Sequence, residues 1–321
     1  MFAVLYISGC EEVSKDSENT QISQSYLSEH SISWSPDSSR IVFILNNSVV
    51  VKEVKTGKIW QLTGTGYYED PGWSPDGTRV VYSSSSYAAR ADIWVKNADG
   101  SGIAKRITSH TASDFHPRWS PDGTRIVFES YRTKETVMDV WIRNADGTGS
   151  DIAIAPSAGT DQNAEWSPDG TRLAFESNRN GNYDIWVASV DGASPPVQVT
   201  SEASPDTNPL WSPDGTRIAY QSDRNGISGI WVKNADGTGN PIYVTDGYPN
   251  ASTHGWSPDG KKIAFVWEQA IYARNSDGTG AAVKIAEGVE PHWSLDGTKM
   301  AFIASAEEQY KVQIIDMPVE R

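Results

Sequence analysis

The chain has 321 residues, a formal net charge of −14 and a single cysteine, Cys10. The acidity excludes the basic footprint that nucleic acid requires and a polybasic attachment to anionic membrane. One cysteine excludes an internal disulfide, and no segment approaches the roughly 18 apolar residues that span a bilayer.

The N-terminus ends a short apolar stretch at Ile7-Ser8-Gly9-Cys10. An aliphatic and two small residues before a cysteine resemble the end of a bacterial lipoprotein signal, which implies lipidation of Cys10. Residues 1–10 are therefore expected to be a signal and anchor. Residues 11–19 are polar, charged and free of aromatics, and are expected to be a tether.

From residue 20 onward the chain is repetitive. Trp-Ser-Pro-Asp-Gly, or a close variant, begins at Trp34, Trp73, Trp119, Trp166, Trp211, Trp256 and Trp293. Intervals of roughly 40–45 residues indicate a propeller. The stretch from Asp161 to Thr200 shows the unit. A short strand reaches Trp166 and Ser-Pro-Asp-Gly turns the chain, with Pro presetting φ and Gly supplying a positive φ. Further strands are expected at Arg172–Glu176, Asp184–Val187 and Val197–Thr200. Four short antiparallel strands make a propeller blade. The last repeat lacks a fourth strand at the C-terminus. Gln21-Ile22-Ser23 aligns with Gln198-Val199-Thr200, so residues near 20–24 are expected to complete it. The expected fold is all-β: a single seven-bladed β-propeller over 20–321, with four-stranded antiparallel blades, closed by an N-terminal strand. Closure removes exposed strand edges.

These repeats resemble the TolB-like propeller family, whose WD-like repeats carry a Pro-Asp turn. TolB members carry an α/β domain before six blades, whereas seven repeats occur here. The anchor-and-tether layout points to the cell envelope or periplasm, and regular repeats without a catalytic signature point to a role in binding rather than catalysis. Some seven-bladed relatives of the repeat class are pectate-fragment lyases with a His-held metal, which implies a carbohydrate-active alternative: a lectin or an oligogalacturonate-type lyase.

Most of the 13 tryptophans fall at repeated positions and are expected to pack between blades. Residues that vary just before each repeated Trp face the channel mouth in this architecture. They are Asp114 and His116, Asp161 and Asn163, Asp206 and Asn208, Asn250 and His254, and Glu290 and His292. Asp114, Asp161 and Asp206 each stand five residues before their Trp and are expected on one arc of the rim, to bind a cation, a basic peptide or sugar hydroxyls. The competing reading is that each caps its own loop. His30, His116, His254 and His292 occupy different registers and do not form a zinc set. Asn178, Asn180, Asn182 and Asp184 place oxygens at every second position, which leaves calcium open at a loop that reads first as plain polar. No catalytic residues, no metal site and no other cofactor are expected. No Gly-x-Ser-x-Gly elbow or phosphate loop occurs. The expectation is a monomeric, non-enzymatic, lipid-anchored scaffold that binds an envelope protein or peptide at its rim.

Overall fold

The structure, a computed structural model, describes residues 21–22, 32–85, 90–134, 136–224, 226–306 and 309–318. The expected anchor, tether and His30 lie outside these residues. The described residues form seven four-stranded sheets, each a blade numbered here from the N-terminus. In six of them, four consecutive strands pair antiparallel in sequence order. Blade 4 has Asp161–Trp166 innermost, then Arg172–Ser177, Asp184–Ser189 and Val197–Gln198. Blade 7 has Val289–Trp293, Lys299–Ala306 and Gln309–Asp316. Its fourth strand is Gln21–Ile22, with Gln21 opposite Lys311 and Ile22 opposite Tyr310. The chain therefore closes the ring with its own N-terminal strand, as the repeat count required.

Each Trp-Ser-Pro-Asp-Gly segment has two structural tasks. The first is local. In blade 4, Ser167 donates to Asp169 (2.6 Å) and accepts from the Arg172 N–H (3.0 Å), while Asp169 accepts from the Thr171 N–H (3.0 Å). Gly170 takes φ 68°, where a side chain would strain the turn. The second task is to fasten one blade to the next. Trp211 is buried, its indole N–H donates to the Glu165 carbonyl of blade 4 (3.1 Å), and Arg172 of blade 4 lies 4.6 Å over its ring. The same Arg172 donates to the Gly215 carbonyl (3.0 Å), and Gly215 rests on Pro168. Equivalent indole bonds run from Trp34 to His292, Trp166 to Arg118 and Trp256 to Leu210. The first of these joins blade 1 to blade 7. Between the blades lie clusters of buried apolar residues, such as Ala174, Ile185, Ile218 and Tyr220 around Trp211.

Removing the Trp211 side chain should leave a cavity and take the indole donor from the Glu165 carbonyl. Trp211→Ala is expected to cost about 3–5 kcal/mol, and Trp211→Phe, which keeps most of the packing, about 1 kcal/mol for the lost hydrogen bond. Urea unfolding checks both.

The turn aspartates titrate low. The serine hydrogen bond leads the causes that hold Asp169 and Asp214 at about 2, against an ordinary 3.8. A depressed carboxylate stabilises the fold above its unfolded value, and that contribution is lost as pH falls through the folded value. Melting temperature should therefore drop between roughly pH 4 and pH 2, and Asp169→Asn with Asp214→Asn should flatten the drop.

Candidate functional site at the channel mouth

The innermost strands bend before they reach their tryptophans. Pairing with the second strand breaks register between Glu69 and Gly72, Phe115 and Arg118, Gln162 and Glu165, Thr207 and Leu210, and Val289 and His292. In these five blades the residue three before the Trp sits inside the irregularity with positive φ: Asp70 (50°), His116 (48°), Asn163 (52°), Asn208 (53°) and Glu290 (55°). A bulge of this kind re-aims a side chain and frees a backbone N–H. Here it makes a tier of polar residues around the channel mouth.

Neighbouring blades satisfy the freed groups. Glu129, on the second strand of blade 3, accepts from the Asn163 N–H of blade 4 at 2.6 Å. Its other oxygen meets His116 Nδ1 at 2.9 Å. Glu176 of blade 4 repeats the arrangement: it accepts from the Asn208 N–H of blade 5 (2.6 Å) and from Asn163 Nδ2 (2.7 Å), with Gln162 on its second oxygen (3.0 Å). His116 Nε2 lies 3.6 Å from Asp70 of blade 2. A continuous polar belt thus crosses blades 2 to 5. At the equivalent second-strand position, blades 1, 6 and 7 carry Ile44, Val266 and Ile303, so the belt of second-strand acceptors stops there.

The belt sets its own charges. Burial opposes the His116 charge, but the Glu129 hydrogen bond and the charges of Glu129 and Asp70 outweigh it and push its pKa up to about 9. Burial raises Glu176, while the bonds from Asn208, Asn163 and Gln162 pull against it.

One tier deeper, the residue immediately before each Trp faces the channel: Ser33, Gly72, Arg118, Glu165, Leu210, Gly255 and His292. The cavity they line with the indoles of Trp34, Trp73, Trp119, Trp256 and Trp293, and with Asp70, Asn163 and Asn208 of the mouth tier, has a volume of about 430 Å³. Arg118 Nε pairs with Glu165 at 3.3 Å. Burial raises the Glu165 pKa, opposed by Arg118. Burial and then the Arg118 charge push His292 down to about 4, so its imidazole is neutral.

The sequence-expected rim residues separate into distinct places. His116, Asn163, Asn208 and Glu290 share the mouth tier, and His292 lies in the deeper one. Asn250 is exposed in the turn entering blade 6, where its N–H meets the Ser228 carbonyl. The His254 backbone pairs with Phe265. The three aspartates require a correction. Asp114, Asp161 and Asp206 do not stand on an open arc, because each is completely buried. They pair with Arg132 (2.6 Å), Arg179 (3.0 Å) and Arg224 (3.2 Å), each arginine lying 18 residues later in the same blade. The arginines in turn stack between two rings, such as Phe175 and Trp186 around Arg179. The aspartates also do not cap their loops, since guanidinium groups take the place of backbone N–H donors.

The polar loop of blade 4 is likewise committed. Asn178 accepts from the Thr160 N–H, Asn182 donates to the carbonyls of Glu202 and Ser204, and Asp184 accepts from Gln198. Among the described residues, no group of three His, Cys, Asp or Glu is placed to hold a metal ion. Sequence reasoning missed Asp70, Arg118, Glu129, Glu165 and Glu176. The available signal was a glutamate ten residues after Trp119 and Trp166, where three other repeats carry Ile44, Val266 and Ile303.

The TolB β-propeller domain model matches residues 13–147 and 133–279. The chain belongs to this family. It is similar to a putative TolB from Agrobacterium tumefaciens at 20% identity, with 90% of each chain covered and a TM-score of 0.55. It is also similar to TolB from Acinetobacter baumannii at 20% identity and a TM-score of 0.59. That match covers 75% of this chain and 62% of the Acinetobacter chain. An oligogalacturonate lyase from Vibrio parahaemolyticus is similar at 14% identity, with 95% and 93% covered and a TM-score of 0.74. At these identities the likenesses speak for the fold. No curated protein sequence matches.

Two measurements check the site. A histidine whose folded pKa is raised stabilises the protein below its unfolded value, and that contribution is lost as pH rises through the folded one. Stability should therefore decline from about pH 6.5 to about pH 9, less so in His116→Gln, and NMR should show His116 titrating near pH 9. Asp161→Ala should leave Arg179 buried and unpaired, at a cost of about 3–5 kcal/mol in urea unfolding.

Proposed function

We propose that this protein is a non-enzymatic binding propeller of the cell envelope that takes a protein or peptide partner at its channel mouth. The observation that carries this reading is the division of labour within the repeat. The Trp-Ser-Pro-Asp-Gly segments are consumed in holding blades together. In five blades the residue three before the Trp is re-aimed to the mouth, and its identity differs between them. Loops and bulges on a rigid scaffold commonly carry recognition. Asp70 and Glu129 beside a protonated His116, with Glu176 and Glu290 elsewhere on the mouth, give it an acidic balance, which favours a partner segment bearing Lys or Arg. Membership of the TolB propeller family supports the envelope location. The Ile7-Ser8-Gly9-Cys10 motif and the polar stretch after it support a lipid anchor.

Site-specific photocrosslinking tests the reading in cells. A crosslinker at Asn163 or Asn208 should capture a discrete envelope partner, and one at Pro121 or Pro213, on the repeated turns, should not. Capture from the turn positions alone would overturn it. Cleavage of oligogalacturonate with added manganese, lost on mutation of His116 or His292, would replace it with the lyase reading. Mass spectrometry of the envelope-extracted protein should show Cys10 acylated, and Cys10→Ala should release the protein from membranes.

A further inference from the structure

Blades 2, 3 and 4 each carry a buried aspartate on the third strand, two residues before its Trp: Asp92, Asp139 and Asp184. In blades 2 and 4 the fourth strand supplies a donor. Arg106 donates to Asp92 (2.6 Å), and Gln198 donates to Asp184 (2.9 Å) with the Thr200 hydroxyl at 3.4 Å. Arg106 and Gln198 stand opposite Trp94 and Trp186, whereas the blade 3 residue opposite Trp141 is Ala153. Two residues further on, where blades 2 and 4 have Thr108 and Thr200, blade 3 has Ala155, which turns away at φ 46°. Blade 3 therefore keeps the aspartate and lacks both donors. Asp139 is 0% exposed, and neither of its oxygens has a hydrogen-bond partner among the described residues. A buried carboxylate without donors is costly unless something else answers its charge.

Across the seam stands Asp161 of blade 4, equally buried. The third strand of blade 3 packs against the first strand of blade 4. Arg179 pairs with Asp161 Oδ1 at 3.0 Å, and Asp161 Oδ2 has no partner among the described residues. Burial leads the causes that raise the Asp161 pKa, Ser177 and Arg179 oppose it, and the charge of Asp139 adds to it, so the two carboxylates lie within Coulombic reach. Arg179 answers one of the two charges. The seam is left with three carboxylate oxygens that lack donors, two on Asp139 and one on Asp161.

Oxygen donors of this kind select a hard cation. No third His, Cys, Asp or Glu joins them among the described residues, so backbone carbonyls and water must complete the ligand set. Calcium accepts such a set: it takes roughly six to eight oxygens in flexible geometry and binds a carboxylate through both of its oxygens. Magnesium demands a near-ideal octahedron and keeps several waters, which suits a closely packed seam poorly.

We propose that a calcium ion binds in the seam between blades 3 and 4, held by both oxygens of Asp139 and by Asp161 Oδ2, and locks the two blades together. The site uses none of the mouth residues, so it stands whether or not the mouth binds a partner.

The test is to unfold the protein in guanidinium chloride with EDTA and refold it in metal-free buffer, with or without calcium chloride. Thermal melting and elemental analysis of the dialysed protein are the readouts. Calcium should raise the melting temperature by a few degrees, as a ligand of the folded state does, and a single ion should remain per chain. Magnesium and potassium chloride at matched ionic strength should do neither. Asp139→Asn, which keeps the shape of the side chain and drops its charge, should fold and lose both effects. Ala153→Gln gives blade 3 the donor that Gln198 gives blade 4. It should raise the melting temperature without calcium and abolish the response to it. No calcium-dependent shift in the unmutated protein would overturn the proposal. An equal shift with magnesium or potassium, or a calcium response retained in Asp139→Asn or in Ala153→Gln, would overturn it as well.

Discussion

The ring depends on one repeated contact: a tryptophan held under the arginine of the blade before it. Arg40 lies over Trp73, Arg79 over Trp119, Arg125 over Trp166, Arg172 over Trp211 and Arg217 over Trp256, at 4.6 to 5.3 Å. A cation over a partly desolvated indole contributes modestly at any one seam. The contact is nevertheless coupled to the turn, because each arginine leaves a strand that begins where Ser-Pro-Asp-Gly ends. Loosening a turn therefore loosens the seam ahead of it. A propeller has no single core; it has seven seams, each filled by its own cluster. The last seam has Lys299 where five others have an arginine, and it is closed instead by the Gln21–Ile22 strand and the Trp34–His292 bond.

With the scaffold spending its repeated residues on itself, recognition falls to the positions where the repeats disagree. The bulge before each Trp is the device that turns these positions toward the mouth. It requires positive φ, which asparagine, aspartate and histidine tolerate better than most residues. Each freed N–H is a liability that a neighbouring blade must cover. Glu129 and Glu176 do this for Asn163 and Asn208, and in doing so they bring buried negative charge to the channel. The structural need for a bulge acceptor and the acidity of the mouth are thus one feature.

Architecture was legible in the sequence because it is written seven times. The turn chemistry, the blade count, the short final repeat and its N-terminal complement all follow from aligning the repeats. The site was only half legible. His116, Asn163, Asn208 and Glu290 were recognisable as variable residues near the mouth, but their distance from Trp does not show which way they point. The three aspartates misled for a specific reason. Their regular spacing looked like a shared function, whereas each has a private arginine 18 residues away, beyond the reach of local pattern reading. Glu129 and Glu176 were hidden in the same way: they lie on the second strand of one blade and serve the first strand of the next. Contacts across a seam have no signature within one repeat.

A saturation scan scored separately for folded abundance and for capture of an envelope partner would test the central claim most directly. Substitutions at the repeated Trp, Ser, Asp and Gly, and at the Asp–Arg pairs, should lower abundance and binding together. Substitutions at Asp70, His116, Asn163, Asn208 and Glu290 should lower binding while abundance is largely kept. Binding losses that spare abundance but map to the ring of Pro-Asp-Gly turns would contradict the account and place recognition on the opposite face.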